Sequence, residues 1–437
     1  MTAGSLPPAV LKLRGPCQVR GIPRVPGDKS ISHRALLLTG QATGTSTVTG
    51  LSQGDDVART RRAMEQLGAR IEESAGGALL VTGGDPAEPS GSLDHGNSGT
   101  GIRLMAGVVA GCDLFAVLTG DEFLRRRPMD RIAAPLRAMG AVIDGRRNGS
   151  LAPLAIRGGH LRGIRYASPV ASAQVKSAIL LAGLRATGIT TVVEPIPTRR
   201  HTEEMLLSFG AEVSVEGAEV RVAPSRLQAT DVAVPGDPSQ AAFWVVAGLV
   251  VPDSEITVAD LYLGPGRAGF VDVLRHMGAD VDVDAASGAV RSRHGPLTGV
   301  TIDSAGLSSF IDEVPILAVA AAAATGRTVL SGASELRVKE SDRITTVASM
   351  LKAFGGTVAE TTDGMVIEGG ARLHGADIDS HGDHRVAMAA AIAALRAEGE
   401  TTVRGWESVS TSYPGFAEQL NELTNGAAEA DVIPASD

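Results

Sequence analysis

The sequence predicts an α/β protein of two domains, each made of three repeated units whose most apolar helix is buried. Three observations lead there. Glycines 68, 140, 210, 278, 355 and 426 recur 72, 70, 68, 77 and 71 residues apart, each closing an amphipathic run. Between these stops lies a second, Ala/Leu-rich run that is hydrophobic nearly all round, as in Ala318 to Ala324, the pattern of a helix with no wet face. The composition is 43% hydrophobic but only 3% aromatic, with 53 Gly, so the core must be aliphatic and rich in turns.

Taken in order, each unit opens on a small or polar helix start, and the starts are Gly27-Asp28-Lys29-Ser30, Gly96-Asn97-Ser98-Gly99, Ser172-Ala173-Gln174, Gly236-Asp237-Pro238-Ser239, Ile311-Asp312-Glu313-Val314-Pro315 and Gly382-Asp383-His384-Arg385. These are N-cap residue types. The apolar run follows, then a Thr/Val strand such as Thr47-Val48, Thr191-Val192, Thr257-Val258, Thr328-Val329 or Thr402-Val403. The striped helix comes next, with Gly where a helix end takes the left-handed conformation. Alternating residues such as Ala211-Glu212-Val213-Ser214-Val215 then return as a strand. The phrases Val25-Pro26-Gly27-Asp28 and Val234-Pro235-Gly236-Asp237 repeat about 209 residues apart. They read as two hinge strands near 25–28 and 234–237, which divides the chain into 28–236 and 1–27 plus 237–437.

Composition excludes several classes of function. Forty Lys+Arg against forty-nine Asp+Glu leave a net charge of −9, which argues against a general nucleic-acid or membrane-surface binder; any anion site is local. Cys17 and Cys112 are too few for a disulfide framework, which fits a reducing cytoplasm. Met1 to Val10 has no signal-peptide pattern, and the longest apolar stretches, Ile316 to Ala324 and Ala241 to Val251, are about half of a membrane span.

Several helix starts carry cations in their first turns, where free N–H groups and the helix dipole favour anions. Lys29, Ser30 and Arg34; Asn97, Thr100 and Arg103; Ser172, Gln174 and Lys176; and His384 with Arg385 form one repeating constellation. Any single start could merely be a cap beside solvated cations; four at equivalent positions point to a pocket for phosphates and carboxylates. Glu335 to Arg343 packs six charges into nine residues, and Arg125-Arg126-Arg127 is the densest basic cluster. Asp312 and Glu313 head the most apolar helix, so at least one carboxylate lies at a helix N-terminus; it reads either as an ordinary N-cap or, with a basic cleft nearby, as a candidate general base. Gly27-Asp28-Lys29-Ser30 is no P-loop, because Asp28 separates Gly from Lys, and Gly96 to Gly101 has the wrong spacing for a dinucleotide fingerprint. No His/Cys/Asp/Glu spacing reads as a metal site.

The strings Gly27-Asp28-Lys29-Ser30-Ile31-Ser32-His33-Arg34, Gly96 to Arg103, Arg127-Pro128-Met129, Leu336 to Arg343 and Asp383-His384-Arg385, in this order, resemble the 5-enolpyruvylshikimate-3-phosphate (EPSP) synthase family. The resemblance spans nearly the whole chain. It implies two inside-out α/β domains, each of three repeated units with buried helices and outward-facing sheets. It also implies transfer of the enolpyruvyl group of phosphoenolpyruvate (PEP) to the 5-hydroxyl of shikimate 3-phosphate, releasing phosphate, with no cofactor and no metal. By the same resemblance Lys29, Ser30, Arg34, Ser172, Gln174, Arg199, Asp312 and Lys339 bind shikimate 3-phosphate. Lys29, Gly99, Arg127, Gln174, Arg343 and Arg385 bind PEP. Asp312 accepts the hydroxyl proton, Glu340 protonates the PEP methylene, and Lys29 and His384 assist. The partners it implies are these two small anions, with no nucleic acid and no membrane, for a monomeric cytoplasmic enzyme of aromatic amino-acid biosynthesis.

There are departures. Glu335 and Ala173 replace contacts used by some members, Ser410 to Pro414 lacks a lysine that one branch places there, and Gly99 stands where a glyphosate-tolerant branch has alanine. Met1 to Pro8 and Ala427 to Asp437 match nothing and are expected to be mobile. Two alternatives remain at this point: a UDP-N-acetylglucosamine enolpyruvyl transferase, which would need a reactive cysteine such as Cys112, and a non-catalytic anion-binding protein, which would not need Asp312 and Glu340.

Overall fold

The computed structural model describes residues 8–304 and 306–435. Its helices come in pairs, an apolar one and a striped one. They are α1 (Lys29–Thr39) and α2 (Asp55–Gln66), α3 (Gly99–Gly111) and α4 (Asp130–Met139), then, after a single turn α5 (Arg146–Gly149), α6 (Ala173–Gly183) and α7 (His201–Ser208). The later pairs are α8 (Pro238–Val250) and α9 (Gly269–His276), α10 (Val314–Ala323) and α11 (Arg343–Ala353), α12 (His384–Ala394) and α13 (Phe416–Leu423). Every residue of α8 and α12 is buried, and in α3 all but Thr100. By contrast α2 buries only Asp56, Val57, Thr60, Ala63 and Met64, a stripe along one face. The six helix-stop glycines all take positive φ, from +77° at Gly426 to +119° at Gly140, a conformation that a Cβ would strain.

Six four-stranded sheets share one topology: a short edge strand parallel to its neighbour, followed by two antiparallel pairings. In the second repeat these are Leu93–Asp94, Phe115–Thr119, Leu151–Arg157 and Val142–Gly145. Along Leu151–Arg157 only Ala152, Leu154 and Ile156 are buried, so one face packs on the helices and the other meets water. The Thr/Val pairs at 47, 191, 257, 328 and 402 all lie in the second strand of their sheets.

The described chain gathers into two units, one running to Pro26 and resuming at Pro235, the other Gly27–Val234. Each has its own aliphatic core. In the first, the scarce aromatics concentrate: Trp244 stacks on Phe416 with centroids 4.7 Å apart, and its indole N–H donates to the Tyr413 hydroxyl at 2.9 Å. Each unit closes with strands distant in sequence. Val232–Ala233 forms the parallel edge of the first sheet, and Arg20–Gly21 that of the fourth. Ala9–Gly15 enters the sixth sheet between Gly399–Arg404 and Asp431–Pro434.

That last pairing corrects the expectation of a mobile C-terminal tail. Asp431–Pro434 runs antiparallel to Ala9–Gly15, in register from Ala9 opposite Pro434 to Lys12 opposite Asp431, and Ala428 and Ala430 are buried. The segment is the outer strand that the sixth repeat needs. The expectation for the N-terminal tail, Met1 to Pro8, falls outside the described residues except at Pro8, whose carbonyl accepts from the Ala435 N–H at 2.9 Å.

Candidate functional site

In the unit Gly27–Val234, the starts of α1, α3 and α6 carry the expected residues. The Asp28 carboxylate caps α1 by accepting from the Ile31 N–H at 2.8 Å, and Lys29 Nζ donates to Asp56 Oδ2 at 3.0 Å. Arg34 is buried and donates to the Ser30 carbonyl at 2.8 Å, Thr202 Oγ1 at 2.6 Å and Ser177 Oγ at 2.7 Å. Beneath α3 lie two buried imidazoles. His33 meets Thr60 at 2.8 Å and Ser98 at 3.3 Å. Burial, with Lys29 and Arg34 nearby, holds its pKa well below the usual range; burial also takes His95 down to about 4. Both rings are neutral at pH 7.

Ser98 caps α3 by accepting from the Gly101 N–H at 3.0 Å. Gly99 is then flanked by two guanidiniums: a Cβ on it would stand 2.9 Å from Arg103 Nη1 and 3.0 Å from Arg127 Nη1. Arg127 donates to Asn97 Oδ1 at 2.6 Å, Arg103 donates to Gln174 Oε1 at 2.8 Å, and Gln174 Nε2 donates to Thr100 Oγ1 at 3.0 Å. Arg103 also donates to the Gly99 carbonyl at 3.3 Å, so it joins Gly99 to Gln174, with Arg127 beside Gly99. The triple-arginine string splits, because Arg125 and Arg126 are exposed and Arg126 pairs with Glu122. Ser172 caps α6 with a long contact, 3.5 Å from the Val175 N–H, and Arg199 is half-buried beside Thr198.

Lys176 is a correction. Expected among the anion-facing cations, it is 1% exposed at its side chain and sits 2.9 Å from Glu194 and 2.7 Å from Glu203. It lies one turn inside the helix start, where the axis is already covered.

The other unit assembles its residues around Arg343. This buried guanidinium donates to Asp383 at 2.8 Å, Glu340 at 2.6 Å and Asp312 at 3.3 Å. Burial pulls its pKa down, but Asp383, Glu340 and Asp312 together push it up further, so it stays charged. Burial works against the Asp383 charge too, but Arg343 and His384 together outweigh it, leaving that carboxyl below its usual range. Lys339 Nζ lies 3.3 Å from Asp312, Arg385 donates to the Asp312 carbonyl at 3.1 Å, and His384 is buried in the first turn of α12. Asp312, Lys339, Glu340, Arg343 and Arg385 are thus one cluster.

Asp312 is not the helix cap. It belongs to the 3-10 turn Ile311–Glu313, while Glu313, at the N-cap position of α10, does not cap either. The buried Glu313 carboxylate instead accepts from Ser239 Oγ and lies 3.9 Å from Arg385. Arg267 donates to Ser239 Oγ at 2.9 Å and to Asp237 at 2.6 Å. Sequence reasoning missed Asp56, Ser177, Thr202 and Arg267. Asp56 alone left a signal, as an acid in the first turn of a helix. Cys112 is buried at the end of α3, and burial pushes its thiol up to about 11, the opposite of an activated nucleophile. Among the described residues no group of three His, Cys, Asp or Glu is placed to hold a metal, and no helix is long and apolar enough to cross a membrane.

Recessed cations at helix starts, joined in one unit to carboxylates on a shared guanidinium, define an α/β enzyme of anionic substrates. The family model described as EPSP synthase (3-phosphoshikimate 1-carboxyvinyltransferase) matches residues 13–420. The 3-phosphoshikimate 1-carboxyvinyltransferase of Desulforudis audaxviator is 48% identical over 424 residues, covering 94% of this chain and 99% of that one; that of Gloeobacter violaceus is 50% identical, covering 91% and 94%. A solved EPSP synthase from Acinetobacter baumannii superposes with a TM-score of 0.86 at 40% identity, covering 98% of this chain and all of the other. The enolpyruvyl transferase NikO of Streptomyces tendae, at 21% identity and a TM-score of 0.79, shares the fold. The chain belongs to the EPSP synthase family.

Proposed function

We propose that this chain transfers the enolpyruvyl group of PEP to the 5-hydroxyl of shikimate 3-phosphate and releases phosphate. One observation carries the chemistry: Asp312 and Glu340, a base and an acid, converge on Arg343 with Lys339 beside them. Asp312 takes the 5-hydroxyl proton as that oxygen bonds to C2 of PEP, while Glu340 delivers a proton to C3. The resulting tetrahedral ketal then loses phosphate from C2 as C3 gives back a proton, restoring the double bond. Arg343 and Arg385, with Lys29, Gly99, Arg127 and Gln174, take PEP. Lys29, Ser30, Arg34, Ser172, Gln174, Arg199, Asp312 and Lys339 take shikimate 3-phosphate. Lys29 and His384 steady the developing charge. Such fixed cations stabilise a dianionic transition state without reorganising.

No cofactor enters this chemistry. The reading places the protein in the cytoplasm, in keeping with its two free cysteines, and treats it as a monomer. Because the proposed ligands divide between the two units, residues 25–28 and 234–237 act in this reading as the hinge. A radius of gyration unchanged by saturating shikimate 3-phosphate, from an open free form, counts against that hinge. The deciding assay is phosphate release from PEP with shikimate 3-phosphate, beside the same assay with UDP-N-acetylglucosamine. Release only with the first is expected; release only with the second overturns the reading.

A further inference from the structure

The buried Lys176 calls for an explanation that the fold does not supply. It is the fourth residue of α6, and the fourth residues of the other five apolar helices are Ser32, Ile102, Ala241, Leu317 and Ala387. None of the five carries a charge at that position. Helices α3 and α1 bury a cation one and two residues further in, at Arg103 and Arg34, and the carbonyls, hydroxyls and amide to which these donate contrast with the two carboxylates that flank Lys176. Burying an ion is costly unless partners surround it, and here two acids do. Glu194 follows the strand Thr190–Val193, and Glu203 lies in the first turn of α7.

Both acids bracket the segment 195–200. Pro195, Ile196 and Pro197 are exposed, and Pro195 and Pro197 have no N–H to donate. Thr198, in contrast, is buried: its N–H lies 3.4 Å from Glu194 Oε2, its hydroxyl donates to Glu194 Oε1, and its carbonyl lies 3.5 Å from Lys176 Nζ. Arg199 is the next residue. A parallel staple runs alongside, in which Ser177 meets Thr202 at 2.6 Å and Arg34 donates to both. Neighbouring residues on α6 thus hold neighbouring residues on α7, one pair ionic and one hydroxyl.

We infer that Lys176 is a positioning residue for shikimate 3-phosphate: through Glu194, Glu203 and Thr198 it fixes the segment 195–200 and so presents Arg199 beside the start of α6, where Ser172 and Gln174 sit. The inference rests on the proposed reaction for its substrate, but the lock itself can be measured without one.

Two variants serve, Lys176→Met and the charge-free triple Lys176→Met/Glu194→Gln/Glu203→Gln, since neutral replacement of a buried ion cluster commonly preserves folding. In the triple variant, amide hydrogen exchange across 194–203 rises at least tenfold while the rest of the unit exchanges as in the wild type. The KM for shikimate 3-phosphate rises about tenfold, as misplacement by an ångström can cause, whereas kcat and the KM for PEP change less than twofold. Adding Lys176→Met to Arg199→Ala weakens shikimate 3-phosphate no further, because the lysine acts through the arginine. Wild-type exchange across 194–203 in the triple variant overturns the inference, and so do fully additive effects of the two substitutions. A wild type with no turnover on PEP and shikimate 3-phosphate sinks the proposed reaction instead, and the exchange measurement still decides the lock.

Discussion

At Arg343 one side chain is shared by three carboxylates, and two of them are the proposed acid and base. Glu340→Gln and Asp312→Ala should each lower turnover by ~10²–10⁴-fold, the usual worth of a positioned acid or base, with melting temperature held. Near-wild-type turnover removes the residue concerned from the mechanism. Cys112→Ser should keep most activity, as its buried thiol implies. At Gly99 the added methyl of Gly99→Ala must displace the Arg103 and Arg127 guanidiniums. Both are buried, so the space they are pushed into is lost to an anion longer than PEP before it is lost to PEP. The wild type should be inhibited by glyphosate competitively with PEP, and Gly99→Ala should raise the inhibition constant far more than the KM for PEP. Equal inhibition constants would show that residue 99 does not govern access. The two imidazoles under α3 set a pH dependence of stability. A histidine whose folded pKa lies below its unfolded value near 6.5 binds its proton first in the unfolded chain, so stability is lost as pH falls from about 6.5 towards the folded pKa. For His95, down to about 4, the full loss is roughly 3 kcal/mol, and His33 adds in the same direction. Melting temperature should therefore drop between pH 7 and pH 5, and His95→Asn should flatten that slope.

At the scale of the helix, the sequence reveals how a helix begins and ends more readily than what its side chains face. The Gly stops and the Asp or Ser caps were legible because φ > 0 and an accepting side chain are local demands; Asp28, Ser98, Ser172, Asp237 and Asp383 all cap as their residue types suggest. Whether Asp312 caps or pairs could not be read locally, and Lys176 misled, because the deciding facts are partners far along the chain, Arg343 for the first and Glu194 and Glu203 for the second. Helix-to-helix approach was likewise invisible. A Cβ on Gly107 in α3 would stand 2.3 Å from the Ala178 carbonyl oxygen and 2.8 Å from its Cα in α6, so the two backbones touch there. Backbone atoms cannot swing aside as an arginine can, and overpacking costs roughly 1–3 kcal/mol. Gly107→Ala should lower the unfolding free energy by that amount, read as a lower urea midpoint at an unchanged m-value, and since α3 and α6 carry Gly99 and Gln174, the KM for PEP should rise with it. An unaltered midpoint would mean that the helices separate freely at this point.

For the whole molecule, the sixfold period was readable because each repeat restates one pattern, while the sheet partners that close each unit were not, since they lie far apart in the chain. Leaving the edge strand Arg20–Gly21 of the fourth sheet, the chain does not go on to α8 but enters α1; leaving the edge strand Val232–Ala233 of the first sheet, it enters α8. The two crossings fall at the same point of the repeat and run through the same phrase, Val-Pro-Gly-Asp, whose aspartate caps the helix that follows. Since Val232–Ala233 completes the first sheet, the unit Gly27–Val234 contains all three of its sheets and its own core, as an autonomous domain should. The other unit has no such freedom, because Ala9–Gly15 and Arg20–Gly21 are strands of its sixth and fourth sheets. A fragment spanning 27–234 should therefore fold alone and unfold in urea as a single cooperative transition, while a fragment beginning at 235 should need the segment 8–26 supplied as a peptide. Stable, cooperative folding of the 235–437 fragment without that peptide would show that the two N-terminal strands are ornaments to the unit rather than parts of it.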